Sequence, residues 1–172
     1  MCREFNSLPR HKKHGEKWAK WHEKCRKKAK KEFPGLEKNR LFITGVMLYW
    51  GEGDSKVENG QVRLANTDPE MIKIFSLFLQ QICLIPKERI RIGLVLYPDL
   101  SEKICKRFWS SAIKIPESQF YKVQVIKGKH PTKRLSNGIC NIGICSRELK
   151  EKISVWNKLL AKEIINSNAG VI

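Results

Sequence analysis

The chain has 172 residues, of which 41% are hydrophobic and 30% charged, enough for one domain with a sizeable core. Its 34 Lys and Arg against 17 Asp and Glu leave a net charge of +17, which indicates a polyanionic partner. The distribution of apolar residues along the chain excludes a membrane protein, because no apolar run approaches the ~20 residues that cross a bilayer. The first residues lack the apolar segment of a secretory signal, so we expect a cytoplasmic protein with reduced cysteines.

The excess positive charge is concentrated near the N-terminus. Residues 1–40 hold 14 Lys and Arg and 5 Asp and Glu, a net charge of +9, and the rest of the chain carries +8. In this basic helical arm an apolar stripe recurs at helical spacing, formed by Trp18, Trp21, Cys25 and Ala29. Two compatible interpretations stay open: the helix docks its tryptophans on the domain, or its lysines displace counterions from DNA phosphates.

Residues 41–166 are expected to form the domain, followed by a short tail at 167–172. Helices are predicted in four stretches of the domain: 41–51, 68–84, 101–113 and 146–165. The first stretch is apolar nearly throughout, and its length favours a buried helix over a strand. The second begins within Thr67-Asp68-Pro69-Glu70, which offers a capping residue and a proline at or near the first helical position.

Strands are predicted between these helices, at 61–66, 89–97, 120–127 and 139–145. In the first strand Val62 and Leu64 point to one face of the sheet. Gln61 and Arg63 point to the other face. The second strand is expected to place three side chains on this polar face: Arg89, Arg91 and Tyr97. Helices covering one face of an open antiparallel sheet give an α+β fold, with a polar face suited to nucleic acid.

The stretch Gly45-Val-Met-Leu-Tyr-Trp-Gly-Glu52-Gly53 is the most informative motif of the chain. Small residues at 45 and 51 would let two such helices approach closely. If two copies crossed at a twofold axis, their Glu52 carboxylates would meet at one point. Paired carboxylates bind Mg²⁺ through hard oxygen ligands and serve in-line phosphodiester hydrolysis. The alternative is that Glu52 only ends a helix before a turn.

This motif resembles a divergent LAGLIDADG sequence, the signature of a homing-endonuclease family, with Glu52-Gly53 in place of its terminal acidic residue and glycine. Similarity to a bacterial branch of this family extends over five further segments: Leu48–Lys56, Leu64–Ile72, Phe108-Trp109, Ile115-Pro116 and Gln119-Phe120. The resemblance covers about residues 41–160. Tyr49 and Trp50 depart from the smaller or acidic residues of the familiar motif, which would change how two motif helices cross.

The resemblance implies a LAGLIDADG homing-endonuclease-like fold, whose antiparallel, saddle-shaped sheet sits on the DNA major groove. One motif per chain implies a homodimer, with four residues at the interface: Gly45, Leu48, Tyr49 and Gly51. Glu52 would be catalytic and bind the metal, with the Gly51 carbonyl as a second ligand. The implied cofactor is Mg²⁺ or another divalent cation.

The resemblance also implies roles for side chains around the sheet. Gln61 and Lys122 are the candidates for positioning water and stabilising developing charge, a catalytic role. Ten side chains are expected to contact DNA, from the sheet, from a basic loop at 127–134 and, for Lys56, from the stretch before the first strand: Lys56, Arg63, Arg89, Arg91, Gln124, Lys127, Lys129, Lys133, Arg134 and Asn141. Arg and Gln on the sheet can read base edges or clamp phosphates.

These features together predict a metal-dependent, site-specific endonuclease for double-stranded DNA, encoded by a mobile element. The protein would act at the nucleoid, with no membrane partner and no small-molecule substrate. The alternative is a non-cleaving DNA-binding protein with a regulatory role, which uses the same fold.

Overall fold

The structure is a computed structural model that describes residues 12–54, 59–126 and 135–169, with side chains from residue 15 onward. Within these ranges five α-helices form: α1 (Lys12–Glu32), α2 (Arg40–Glu52), α3 (Pro69–Leu77), α4 (Glu102–Ile113) and α5 (Arg147–Asn168). The four strands are β1 (Gln61–Asn66), β2 (Arg91–Leu96), β3 (Gln124–Val125) and β4 (Ile139–Cys145). A π-helical segment, Phe78–Ile82, prolongs α3, and short 3₁₀ turns lie at Phe33–Gly35, Lys87–Arg89 and Glu117–Gln119.

The strands form one mixed sheet in the order β1-β4-β2-β3. Strand β4 lies between β1 and β2 and is antiparallel to both, whereas β3 pairs with β2 in parallel. The prediction of an antiparallel sheet is therefore wrong at the β3 edge. The connections explain the difference, because β1 reaches β2 through α3 and β2 reaches β3 through α4, and helical crossovers join parallel strands.

Two strand predictions also need correction in their extent. In the described part of the stretch 120–127, residues 120–126, the chain forms the two-residue strand β3, preceded by a bridge between Phe120 and Ile92. Arg89 lies in a 3₁₀ turn that precedes β2, so it is not on the strand. Tyr97 is only 9% exposed, because β2 ends at Leu96 and the alternation does not continue into the following turn.

The buried face of the sheet follows the predicted alternation. Val62, Leu64, Ile92, Leu94 and Ile142 are each at most 1% exposed. Helices α2, α3 and α5 contact β1, and α3 also contacts β4. These contacts place the helices and the core against one face of the sheet, which confirms the α+β class. The other face carries the remaining strand side chains.

Two of the predicted helix starts have a capping hydrogen bond, whereas the side chain of Ser101, before α4, makes none within the described chain. The Asp68 carboxylate accepts from the Glu70 amide at 2.8 Å. The hydroxyl of Ser146, before α5, accepts from the Leu149 amide at 3.2 Å. Each bond satisfies an amide that has no partner within its own helix, which fixes where the helix begins.

The basic helix α1 packs along α5 and shares its core. Ala29 and Phe33 are buried in the main hydrophobic cluster, and the Trp156 indole donates to the Ala29 carbonyl at 3.1 Å. The Arg147 guanidinium lies 5.5 Å from the centre of the Trp18 ring. This packing confirms the interpretation that the helix docks on the domain. Its outward side carries six exposed lysines, Lys17, Lys20, Lys24, Lys27, Lys30 and Lys31, whereas the exposed Lys28 pairs with Glu148 of α5.

Candidate nucleic-acid interface

The open face of the sheet is a concavity whose lining includes polar, basic and small residues: Gln61, Arg63, Arg91, Lys122, Gln124, Asn141, Gly93, Gly143 and Cys145. Val95 and Tyr121 also line it, together with two residues whose side chains belong to the core, Leu94 and Ile144. No Asp or Glu is among these described lining residues. A polar, positively charged surface of this kind is suited to a phosphate backbone and to base edges.

The sheet register places two arginines on either side of a glycine. Gly143 of β4 lies opposite Arg63 of β1 and opposite Arg91 of β2. A Cβ atom at Gly143 would lie 2.5 Å from the Val62 carbonyl oxygen, so this position requires glycine. The missing side chain leaves a gap between the two arginines, whose backbones are two strand spacings apart, roughly 10 Å.

The neighbouring row of paired strand residues has small residues on both sides of Asn141, which leaves space above the sheet at this point. Asn141 of β4 lies between Ala65 of β1 and Gly93 of β2. A Cβ at Gly93 would be 3.6 Å from the Asn141 Cβ, an ordinary contact, so side-chain space here is open. The Asn141 amide, which can both donate and accept, therefore stands between two small residues.

The two arginines are held in different ways. The Arg63 guanidinium lies 3.6 Å from the Asp54 carboxylate, which also accepts from the Asn59 amide at 2.8 Å. Arg91 donates from Nη1 to the main-chain oxygen of Ile90 at 3.0 Å, and also to that of Glu88. Arg63 is thus positioned by a carboxylate, and Arg91 by main-chain oxygens of the residues that precede it.

Most of the described residues predicted for the site lie together on the open face. This group consists of Gln61, Arg63, Arg91, Lys122, Gln124 and Asn141. Arg89 is exposed but does not line the concavity, because it precedes β2. Five predicted contacts lie outside the described residues: Lys56, Lys127, Lys129, Lys133 and Arg134.

Glu52 and Gly51 form the last turn of α2, and both are exposed. The Gly53 amide donates to the Tyr49 carbonyl at 2.9 Å and Gly53 bridges Leu64 of β1, so the helix ends at the β1 edge. Carboxylate and carbonyl oxygens at this edge are the ligand types that Mg²⁺ prefers. Within the described ranges, no group of three or more His, Cys, Asp and Glu is placed to hold a metal.

The core of the single chain already requires glycine at position 45, so the small size of this residue is explained without a second helix. A Cβ at Gly45 would collide with the Phe78 ring. Tyr49 is 7% exposed and stacks on Phe75 with ring centres 5.9 Å apart, so it presents little surface to a second chain. The exposed side of α2 carries instead Thr44, Met47, Trp50 and Gly51. Leu48 is half-buried against the core.

A buried lysine behind the site was not predicted from the sequence. Lys150 of α5 is 4% exposed, and its Nζ donates to the Tyr49 hydroxyl at 2.6 Å and to the Asp54 main-chain oxygen. In a chain with 34 basic residues nothing in the sequence distinguishes this lysine from exposed ones. The one indication in the sequence that Lys150 is buried is that it directly follows Leu149, an apolar residue of α5.

Comparisons of the chain with protein-family models, with curated proteins and with solved structures gave no match. The LAGLIDADG resemblance therefore stands on the sequence segments quoted above. In the part of the chain that the structure describes, no helix is both long and apolar enough to cross a membrane.

Proposed function

We propose that the chain binds double-stranded DNA across the open face of its sheet and, as a homodimer, hydrolyses DNA with a divalent cation at Glu52. The observation that carries the DNA-binding part is the lining of this face, which includes Arg63, Arg91 and Lys122 and no described acidic side chain. The backbones of the two arginines are roughly 10 Å apart, and the DNA major groove is about 12 Å wide. Their guanidinium groups can therefore reach one groove.

The lysines on the outward side of α1 support a second contact, to phosphates. Helix α1 lies on α5, which follows directly from β4 through Ser146. DNA on the sheet could continue past this end of β4 toward the α1 lysines. Phosphate contacts there would raise affinity for every sequence and make binding salt-dependent, whereas the sheet residues would supply sequence preference.

The cleavage part of the proposal rests on the resemblance and on the exposed position of Glu52. Glu52 and the Gly51 carbonyl would hold the cation, together with oxygens from DNA or from a second chain. A bound divalent cation polarises the phosphate and lowers the pKa of its water. Gln61 and Lys122, both on the open face, are the proposed catalytic side chains that position water and stabilise charge.

DNA binding is tested by fluorescence anisotropy with duplex oligonucleotides at several salt concentrations. We expect Arg91→Gln to weaken binding about tenfold, as removing one good base or phosphate interaction does. Arg107→Gln is the matched control, because Arg107 is exposed on α4, away from the open face. Equal weakening by both variants would show that only overall charge matters, and would contradict binding on the sheet.

Cleavage is tested on a site selected from a randomised duplex library, with Mg²⁺ and with EDTA. We expect strand breaks that require the cation and that disappear in Glu52→Gln while DNA binding persists. Tight binding of the selected site without cleavage would instead assign the chain as a non-cleaving DNA-binding protein.

A further inference from the structure

Lys150 makes polar contacts with the last turn of α2 and with Asp54, which follows that helix. Its Nζ donates to the Tyr49 hydroxyl at 2.6 Å and to the Asp54 main-chain oxygen, and lies 5.2 Å from the centre of the Tyr49 ring. A buried ammonium is costly unless several partners compensate for the lost water. The partners here are 96 and 101 residues away in sequence, so the contact joins α5 to the end of the motif helix.

The Tyr49 hydroxyl is the second group that binds the Asp54 main-chain oxygen. It donates to this oxygen at 2.9 Å while it accepts from Lys150. Two donors thus converge on one carbonyl oxygen, which fixes the backbone at Asp54.

Asp54 connects this buried contact to Arg63, on the open face of the sheet. Its amide donates to the Arg63 carbonyl at 3.0 Å, and its carboxylate lies 3.6 Å from the Arg63 guanidinium. The Asp54 side chain is 14% exposed, whereas the Arg63 side chain is 53% exposed on the polar side of β1. A continuous series of polar contacts therefore runs from the buried ammonium of α5 to an arginine of the candidate interface.

We propose that Lys150 is a positioning residue for DNA binding, which holds the Asp54 backbone and through it sets the position of the Arg63 guanidinium. The inference rests on the proposed DNA-binding function, but it also has a readout in the protein without DNA. Lys150 does not touch the nucleic acid. Its replacement should change how Arg63 is presented rather than remove a charge from the interface.

Lys152 provides a matched control on the same helix. It is also largely buried, with 13% of its side chain exposed, and it pairs with Glu32 of α1 at 2.6 Å. Its ammonium lies 4.8 Å from the Trp156 ring, a second likeness to Lys150. Replacing either lysine by Met removes one buried charge from α5, but only the Lys150 variant affects Asp54.

The first experiment follows the Arg63 Nε–H resonance by NMR in the DNA-free protein. We expect it to move in Lys150→Met, and in the same direction but less in Tyr49→Phe, and to stay at its wild-type position in Lys152→Met. Tyr49→Phe keeps the ring in the core and so tests the inference even if Lys150→Met does not fold. An Arg63 resonance that is unmoved in Tyr49→Phe and in any folded Lys150 variant overturns the inference.

The second experiment is a double-mutant cycle on duplex affinity. We expect Lys150→Met and Arg63→Gln each to weaken binding about fivefold to tenfold, and the double variant to be no weaker than Arg63→Gln alone, since both act through one guanidinium. Independent, multiplying reductions in affinity would overturn the positioning role. A wild-type chain that binds no duplex would overturn the proposed function, and the Arg63 resonance would still decide whether Lys150 positions that side chain.

Discussion

Replacing Gly45 by Ala should destabilise the single chain by overpacking its core. The added Cβ would overlap the Phe78 ring, which is fully buried and cannot turn away into solvent. Overpacking costs about 1–3 kcal/mol, and the fixed ring places this case near the upper end. Ala in a helix interior returns about 0.5–1 kcal/mol, so the net loss is roughly 2 kcal/mol. At about 2–4 °C per kcal/mol for a chain of this size, Tm should fall by about 4–8 °C.

Gly51→Ala is the control on the same helix. A Cβ at Gly51 meets nothing within 4 Å in the described chain, so only the gain in helix propensity remains. Its stability should rise by up to about 1 kcal/mol. Thermal and urea unfolding, followed by circular dichroism at two protein concentrations tenfold apart, measures both changes. A Gly45→Ala variant as stable as wild type would refute the packing argument, and a Gly51→Ala variant that dissociates a dimer would place Gly51 at its interface.

Three further outcomes follow from the charges and thiols. The first set of variants replaces three exposed α1 lysines by Gln: Lys17, Lys20 and Lys24. Each lysine–phosphate pair removed should lower the slope of log K against log salt by about 0.9, and an unchanged slope would assign these lysines to solvent. Cys145 is exposed and lines the open face, so duplex DNA should slow its maleimide labelling in a Cys2→Ser background, and equal rates would contradict binding there. The hydrogen bond from Lys28 lowers the pKa of Glu148, so the charged pair stabilises the fold at neutral pH and is broken as acid protonates Glu148. Because the pair is solvent-exposed, acid unfolding of Glu148→Gln should differ from wild type by less than about 1 kcal/mol.

The sequence predicted the elements that depend on local patterns. The apolar length of 41–51, the cap at Asp68 and the alternation of 61–66 each correspond to an element of the structure, since period and capping act over a few residues. The pairing of strands that lie far apart in the sequence was harder to predict. The parallel β3 edge follows from helical crossovers, which the strand pattern of 120–127 does not record.

The candidate site likewise contains residues whose position could be predicted from the sequence and residues whose role could not. The open-face positions of Gln61, Arg63 and Asn141 follow from strand alternation and were predictable. The role of Gly45 was not, because a glycine that makes room for Phe78 and one that makes room for a second helix look alike in sequence. Lys150 was not predicted for a related reason, since its described partners Asp54 and Tyr49 are 96 and 101 residues away in the sequence.

Helix α1 combines charge and packing in a way that decides how its role in binding can be measured. Deleting residues 1–36 would remove the exposed lysines, but it would also remove Ala29 and Phe33 from the core and the carbonyl that Trp156 binds. The ion pair between Glu32 and Lys152, at 2.6 Å, would disappear as well. A truncated chain that failed to bind DNA would therefore report unfolding as readily as the absence of phosphate-binding lysines. Substitutions restricted to the outward lysines leave this packing intact, so a reduced salt slope in a variant with wild-type Tm isolates the electrostatic contribution.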